Sequence, residues 1–199
     1  MFPVFVRGGL LWEEAELGHL RSYLAAVARP ELEALTILEE PVADVYGNHW
    51  STTGQGVPDA ASPDSAVFLP GRNLFLVSKA AVWCVLRGIP SLALGTLGAN
   101  PFPDSTREFY HGLEGVLRQA LGASVAILLP YATVTKAELL ARARGLPLER
   151  TFSCIRPVQG LHCGACNKCA ERRRGFAQAG IEDPTRYVEP PAERGTDDP

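Results

Sequence analysis

No stretch of the 199-residue sequence approaches the roughly 18 consecutive apolar residues that a membrane span needs. The opening, MFPVFVRGGLLWEE, has neither the basic start nor the small-residue cleavage site of a secretory signal. Its apolar residues therefore read as a core strand, and a cytoplasmic location is the expectation. An excess of positive charge is absent too. The formal net charge is −3, so no global basic field draws the chain to nucleic acid, and direct nucleic-acid binding is not expected. Internal repeats are lacking. A hydrophobic fraction of 46% and a charged fraction of 21% over this length suit one ordinary globular domain, or one domain with an appendage. Residues 189–199, EPPAERGTDDP, are rich in proline and charge and read as a disordered tail.

Cysteine is present in one concentrated place. Four of the five cysteines, Cys154, Cys163, Cys166 and Cys169, fall within TFSCIRPVQGLHCGACNKCAERRRGF in the pattern C-x8-C-x2-C-x2-C. Two overlapping C-x2-C steps turn neighbouring thiolates toward one centre, and Cys154 closes the shell from the far side of a loop. That donor set suits tetrahedral structural zinc. Gly164 permits the tight turn of the knuckle. An iron–sulfur cluster is the competing occupant, and a pair of disulfides is the third reading, with little to call for it in a cytoplasmic chain. A closed four-thiolate shell leaves no open position for a substrate, so by itself it is silent about a reaction. Arg156, Lys168 and residues 172–174 lie close enough in sequence to offset its negative charge. The run at 171–174 otherwise reads as a solvated helix face. The fifth cysteine, Cys84, lies in an apolar run and reads as a small core residue.

The remaining pattern alternates. Residues 2–6 form a short apolar run with β-branched members, a buried strand broken by Gly8-Gly9. Over 12–28, Leu17, Leu20, Leu24 and Val27 recur at helical spacing, with Glu13, Glu14 and Glu16 favouring the helix N-terminus. A strand at 34–38 follows. Residues 41–70 are a long aperiodic loop holding Tyr46, His49 and Trp50, and long loops in compact domains tend to be functional. A lone loop histidine such as His49 is more often a hydrogen-bonding residue than a catalyst. Pro70-Gly71 marks a turn, Asn73 is placed to cap the helix that follows, and that helix runs to about Arg87. Strands at 91–95 and 124–129 flank a helix that starts at Ser105 or Thr106 and ends at Leu121. Thr135-Lys136-Ala137-Glu138 has the spacing of a capping box and opens a helix ending near Gly145. This order predicts an α/β fold: a mostly parallel sheet with helices on both faces over residues 1–150, then a zinc-binding loop and helix over 151–188. The loops 41–70, 96–104 and 130–135 all follow strands and should line one crevice.

The ordered set FLPGRNLFLVSKAA, NPFPDSTREFY, VTKAEL, TFSC and HCGACNKCAERRRGFAQAGIEDPTRY resembles the 7-cyano-7-deazaguanine synthase family. That family belongs to the N-type ATP pyrophosphatases, which have the adenine-nucleotide α-hydrolase-like, Rossmann-like fold. The resemblance covers residues 66–187. It implies a ligase of queuosine and deazapurine biosynthesis, in which ATP with magnesium activates the carboxylate of 7-carboxy-7-deazaguanine and ammonia attacks it. Further ATP-driven dehydration then gives the nitrile. It also implies an ATP and substrate site at Arg72, Asn73, Asp104 and Lys136: Arg72 and Asn73 in the crevice, Asp104 on the guanine-type N–H edge, and Lys136 reaching the ATP phosphates from a helix N-terminus. The four clustered cysteines become the ligands of one structural zinc, and a homodimer is the family's usual assembly. No catalytic residue is assigned. The sequence departs from the family in one respect: it holds no Ser-Gly-Gly-x-Asp-Ser pyrophosphate loop. The expectation is that residues 2–6 occupy the family's second strand, that the first strand–helix unit is truncated or lost, and that ATP hydrolysis by this chain alone is doubtful. Two other readings stand beside it. One is a non-catalytic, zinc-stabilised binding or partner protein of the same fold. The other is a related tRNA-modifying ATP pyrophosphatase of the thiolase type with catalytic cysteines, against which the metal claims all four clustered thiols.

Overall fold

Parallel strands cannot be joined by a tight turn, so each pairing here is bridged by a helix. The structure, a computed structural model, describes residues 1–188; the tail assigned to 189–199 lies outside the described residues. β1 (Val4–Arg7) and β2 (Thr36–Glu39) pair in parallel, Val4 opposite Thr36 and Arg7 opposite Glu39, with α1 (Glu13–Ala26) as the crossover. Two one-turn helices follow, α2 (Ala43–Tyr46) and α3 (Trp50–Thr53), inside the region that reads as a loop in sequence. Then come α4 (Arg72–Val85) and β3 (Ser91–Ala93), which pairs in parallel with β4 (Ala126–Leu128) across α5 (Arg107–Leu121). α6 (Lys136–Arg142) and α7 (Asn167–Ala179) complete the set. The expected α/β class and parallel pairing are present. The described strands form two two-stranded sheets, β1–β2 and β3–β4, and α4 packs on both β1 and β3.

The helix starts show which local signals decide. At α6 the capping box forms: Glu138 N–H donates to Thr135 Oγ1 at 3.2 Å and Thr135 N–H donates to Glu138 Oε2 at 2.8 Å. α6 ends at Arg142, one turn short of Gly145. At α5, Thr106 Oγ1 accepts from Phe109 N–H at 3.1 Å. At α4 the sequence reading shifts. Gly71, at φ +75°, holds the cap position that a residue with a Cβ would resist, and Asn73 lies inside the helix. The Asn73 N–H is capped instead by Asp104, whose Oδ2 accepts it at 3.0 Å.

Burial divides into two cores. Val77, Ala81, Trp83 and Cys84 of α4 pack with Tyr110, Leu113 and Leu117 of α5 and with Val125 and Ile127. Cys84 is a core residue, as its surroundings in sequence imply. The second core joins Leu10, Trp12, Val42, Val67 and Leu69 to Ile155 and the four clustered cysteines. Each fully buried aliphatic side chain contributes about 1.5–3 kcal/mol, so the cysteine segment is anchored to the front of the chain by packing as well as by its own ligands. No described helix is long and apolar enough to cross a membrane.

Candidate functional site

The four cysteines converge. Sγ of Cys154 lies 3.9 Å from that of Cys166, Sγ of Cys163 lies 3.9 Å from that of Cys169, and all four sulfurs fall within 4.8 Å of one another. Four ligands at the Zn–S length of about 2.3 Å have a tetrahedral edge of about 3.8 Å, so the sulfurs are already spaced for one central ion. They are too far apart for S–S bonds, and the thiols are free. Gly164 makes the knuckle turn at φ +91°. Backbone donors face the sulfurs: Arg156 and Cys163 N–H reach Cys154 Sγ at 3.3 Å, and Cys166 N–H reaches Cys163 Sγ at 3.4 Å. Cys166 caps α7, which puts Cys169 in the helix's first turn, where the dipole favours a thiolate. This buried, closed, all-sulfur set can hold a metal ion, and its dimensions are compatible with zinc.

Within the basic run beside it, Arg174 is solvent-exposed as the composition suggests, but Glu171, Arg172 and Arg173 turn inward. Arg172 is buried; its Nη2 donates to Leu148 O and Thr151 Oγ1, both at 2.9 Å, and its Nε donates to Thr185 Oγ1 at 2.6 Å. Arg173 donates to Gly164 O at 2.6 Å in the knuckle and lies over Tyr187. Glu171 bridges Lys136 and Lys168. Burial opposes the charge on Glu171, but the two lysines outweigh it and hold its pKa below the usual carboxylate range. Burial pushes the Lys136 ammonium below the usual lysine range, with Glu171 working against the shift. Gly175 makes room for this contact, since a Cβ there would sit 2.8 Å from Lys136 Cδ. His162, fully buried beside the cysteines, is pushed down to about 3, mainly by burial and then by Arg172.

A cavity of about 230 Å³ opens against the cysteine segment. The start of α1, the 41–70 region, α4 and the 96–104 loop all reach it, together with Phe152 to Ile155. Arg72, Asn73 and Asp104 meet there. Asn73 Nδ2 donates to Asp104 O at 3.1 Å and to Oδ1 at 3.3 Å, so the pair is fixed before any ligand arrives. Arg72 lies 6.0 Å over Trp12, and its Nε is buried with no hydrogen-bond partner among the described residues. Aromatic pairs supply flat walls: Phe68 stacks on Phe102 at 5.2 Å, and Trp12 on Trp50 at 5.8 Å. Such walls suit a planar heterocycle. Lys136 is not in this cavity. It lines an adjoining one of about 450 Å³ with Thr96, Thr135 and Arg174, and Lys168 and Asn100 are common to both. All three loops reach the second chamber, through Asp64, Thr96 to Phe102 and Thr135, and the first two also line the smaller cavity.

Sequence reading did not single out Glu16, Trp12 or Lys168 for the site. Burial raises the pKa of Glu16, against the pull of Arg72. Its position three residues after the buried Glu13 was the available signal, one acidic face turned inward. His49 is a local hydrogen-bonding residue: its Nδ1 accepts from Ser51 N–H at 3.3 Å at the start of α3.

A family model described as "Queuosine biosynthesis protein QueC" matches residues 34–180. A 7-cyano-7-deazaguanine synthase of Sphingopyxis alaskensis is 34% identical over 72% of this chain and 69% of its own length. Proteins of the same name from Anaeromyxobacter dehalogenans and Methanothermobacter thermautotrophicus are each 32% identical, over 61% and 69% of this chain and 56% and 68% of their own lengths.

Proposed function

Because this chain belongs to the queuosine biosynthesis protein QueC family, we propose that it acts as an ATP-dependent carbon–nitrogen ligase, converting 7-carboxy-7-deazaguanine and ammonia to 7-cyano-7-deazaguanine. The observation that carries this is the family match across residues 34–180, which takes in Arg72, Asn73, Asp104, Lys136 and all four clustered cysteines. A carboxylate at neutral pH is a poor electrophile, so it must first become an ester with a good leaving group. The chain's own task is positioning and charge stabilisation.

In this reading the deazaguanine lies between the aromatic walls of the smaller cavity. Asp104 accepts from its guanine-type N–H edge; a carboxylate has acceptor sites left after the bonds from Asn73. Arg72, with an unspent Nε, addresses the substrate carboxylate or a phosphate in a fork that lysine cannot make. Lys136 and Lys168 face phosphate from the adjoining chamber, exchanging part of their hold on Glu171 for it. Zinc on Cys154, Cys163, Cys166 and Cys169 supplies cross-linking and no open position, and so fixes the wall at Ser153 to Ile155 without touching the reaction.

The test is formation of 7-cyano-7-deazaguanine from the carboxylate, ammonia and magnesium ATP, followed by mass spectrometry. Calorimetric titration of the chain with the carboxylate runs beside it. Nitrile formation or saturable base binding supports the reading. Failure to bind both the base and ATP would sink it.

A further inference from the structure

The two chambers of the candidate site share a wall. Asn100, Phe102 and Lys168 line both the cavity of about 230 Å³ and the adjoining one of about 450 Å³. Asn100 and Phe102 are held without any ligand: Asn100 Oδ1 accepts from Phe102 N–H at 3.0 Å, and the Phe102 ring stacks on Phe68. Lys168 comes from the cysteine segment. It lies in the first turn of α7 between Cys166 and Cys169, so the buried cysteine cluster anchors its backbone on both sides.

Cations are divided between the chambers. Of the two, Arg72 borders only the smaller, and Lys136 and Arg174 only the larger. Lys168 is the one cation that borders both among the described residues. Its Nζ donates to Glu171 Oε2 at 2.6 Å, which leaves ammonium N–H donors for other acceptors. Glu171 also holds Lys136, so it keeps a cation when Lys168 turns toward a ligand.

We propose that Lys168 is a catalytic residue of the activation step, standing where the substrate carboxylate in the smaller cavity meets the ATP phosphate in the larger one. The role presupposes the ligase reading above. In that step a carboxylate oxygen bonds to the α-phosphorus. The bond from that phosphorus to its bridging oxygen breaks, and pyrophosphate leaves with the electron pair. No proton moves. Two anions must come into contact for this, and like charges repel strongly where water is excluded. A fixed cation touching both relieves the repulsion as the bond forms. Arg72 and Lys136 each reach one of the two anions, and neither borders the other chamber.

The test compares wild type with Lys168→Met in the full, zinc-loaded chain, at equal metal content and circular dichroism. Lys168→Gln takes its place where the methionine variant loses metal. Calorimetry measures 7-carboxy-7-deazaguanine alone, the magnesium complex of α,β-methylene ATP alone, and that analogue with the base saturating. Each ligand alone should bind within about threefold of wild type, because Arg72 and Lys136 remain. With the base present, the analogue should bind the variant about tenfold or more weakly than it binds wild type. Carboxylate-dependent exchange of labelled pyrophosphate into ATP should fall about 100-fold with little change in KM. Lys168→Arg, which keeps a charge at the junction, should recover part of both losses. Unchanged binding of the analogue beside the base overturns the proposal, as does unchanged exchange. So does a loss of equal size for one ligand alone, since Lys168 would then serve a single chamber. A wild type that exchanges pyrophosphate while Lys168→Met does so equally well removes only Lys168; a wild type that binds neither ligand removes the ligase reading and Lys168 with it. Where wild type binds both ligands but shows no exchange, the binding of the analogue beside the base decides.

Discussion

The cysteine knuckle and the pair of half-sheets handle buried polar groups in opposite ways. In the knuckle every sulfur faces other sulfurs or backbone N–H groups, and Arg172 spends its donors on Leu148, Thr151 and Thr185. These contacts all fall within residues 148–185. In the half-sheets, β1 and β3 each turn a row of backbone groups toward a slot that nothing described fills. A metal shell is specified by spacing over a few residues, whereas a parallel sheet is specified by strands far apart in sequence and is finished only when each edge is covered. The smaller cavity lies where the two meet, with Ser153 to Ile155 and Lys168 from one side and Trp12, Glu16 and Arg72 from the other. Its shape should therefore respond to damage on either side, and more strongly on the side that closes by itself.

The largest effect should come from taking the metal away. Zinc binding to such a site is worth on the order of 10 kcal/mol and is coupled to folding. Chelation, or Cys166→Ala, should unfold residues 151–188 and remove base binding with them. Metal analysis, circular dichroism and calorimetry on one preparation check this. Zinc near one equivalent is the expected content, and a brown preparation containing iron and sulfide would replace zinc by a cluster. Undiminished base binding after chelation would break the link between knuckle and cavity.

Next in size is Arg172→Met. It removes a buried guanidinium and leaves Leu148 O, Thr151 and Thr185 without their donor, a loss of about 3 kcal/mol. Urea unfolding of the zinc-loaded protein measures it. A change within the error of the fit would return the basic run to the solvent-exposed role that its composition suggested.

These two residues mark the limits of what the sequence displays. The cysteine spacing could be read because all four ligands lie within one short segment. The Thr135–Glu138 capping box was legible for the same reason. Arg172 was not, because its partners stand up to 24 residues away and a run of like charges looks the same whether solvated or pinned. Asp104 could be singled out in sequence as an acidic residue of a crevice loop, which the structure places at the smaller cavity, but not as the cap of α4, a bond reaching across 31 residues. The strand–helix alternation gave the parallel pairing, while the division into two sheets depends on which strands become neighbours in space.

Asp104 sharpens the comparison at the cavity itself. Asp104→Ala removes the acceptor of Asn73 N–H and should lower stability by about 1 kcal/mol. Under the proposed function it should also weaken binding of 7-carboxy-7-deazaguanine by at least tenfold, a charged hydrogen bond being worth about 1.5–3 kcal/mol. Asp104→Asn keeps an acceptor for the helix and should restore most of the stability but not the binding. Equal binding by wild type and Asp104→Ala would confine Asp104 to the cap.

The smallest effect tests whether local closure matters even away from the metal. Thr135→Ala deletes the cap of α6 and should lower stability by about 1 kcal/mol, read from thermal unfolding at fixed zinc. α6 packs on α7 and carries Lys136 to Glu171, so a frayed first turn also loosens the lysine proposed to face phosphate. ATP binding should fall modestly. The cap has a pH signature as well. The bonds from Thr135 hold the Glu138 carboxyl below its usual range, so its contribution is present above the ordinary carboxylate pKa and is lost as pH falls through the lowered folded value. The difference between wild type and Thr135→Ala should therefore be full at neutral pH and shrink on acidification below that window. A difference that stays constant into acid would mean that the Thr135 hydroxyl alone, without the carboxylate that answers it, holds the turn.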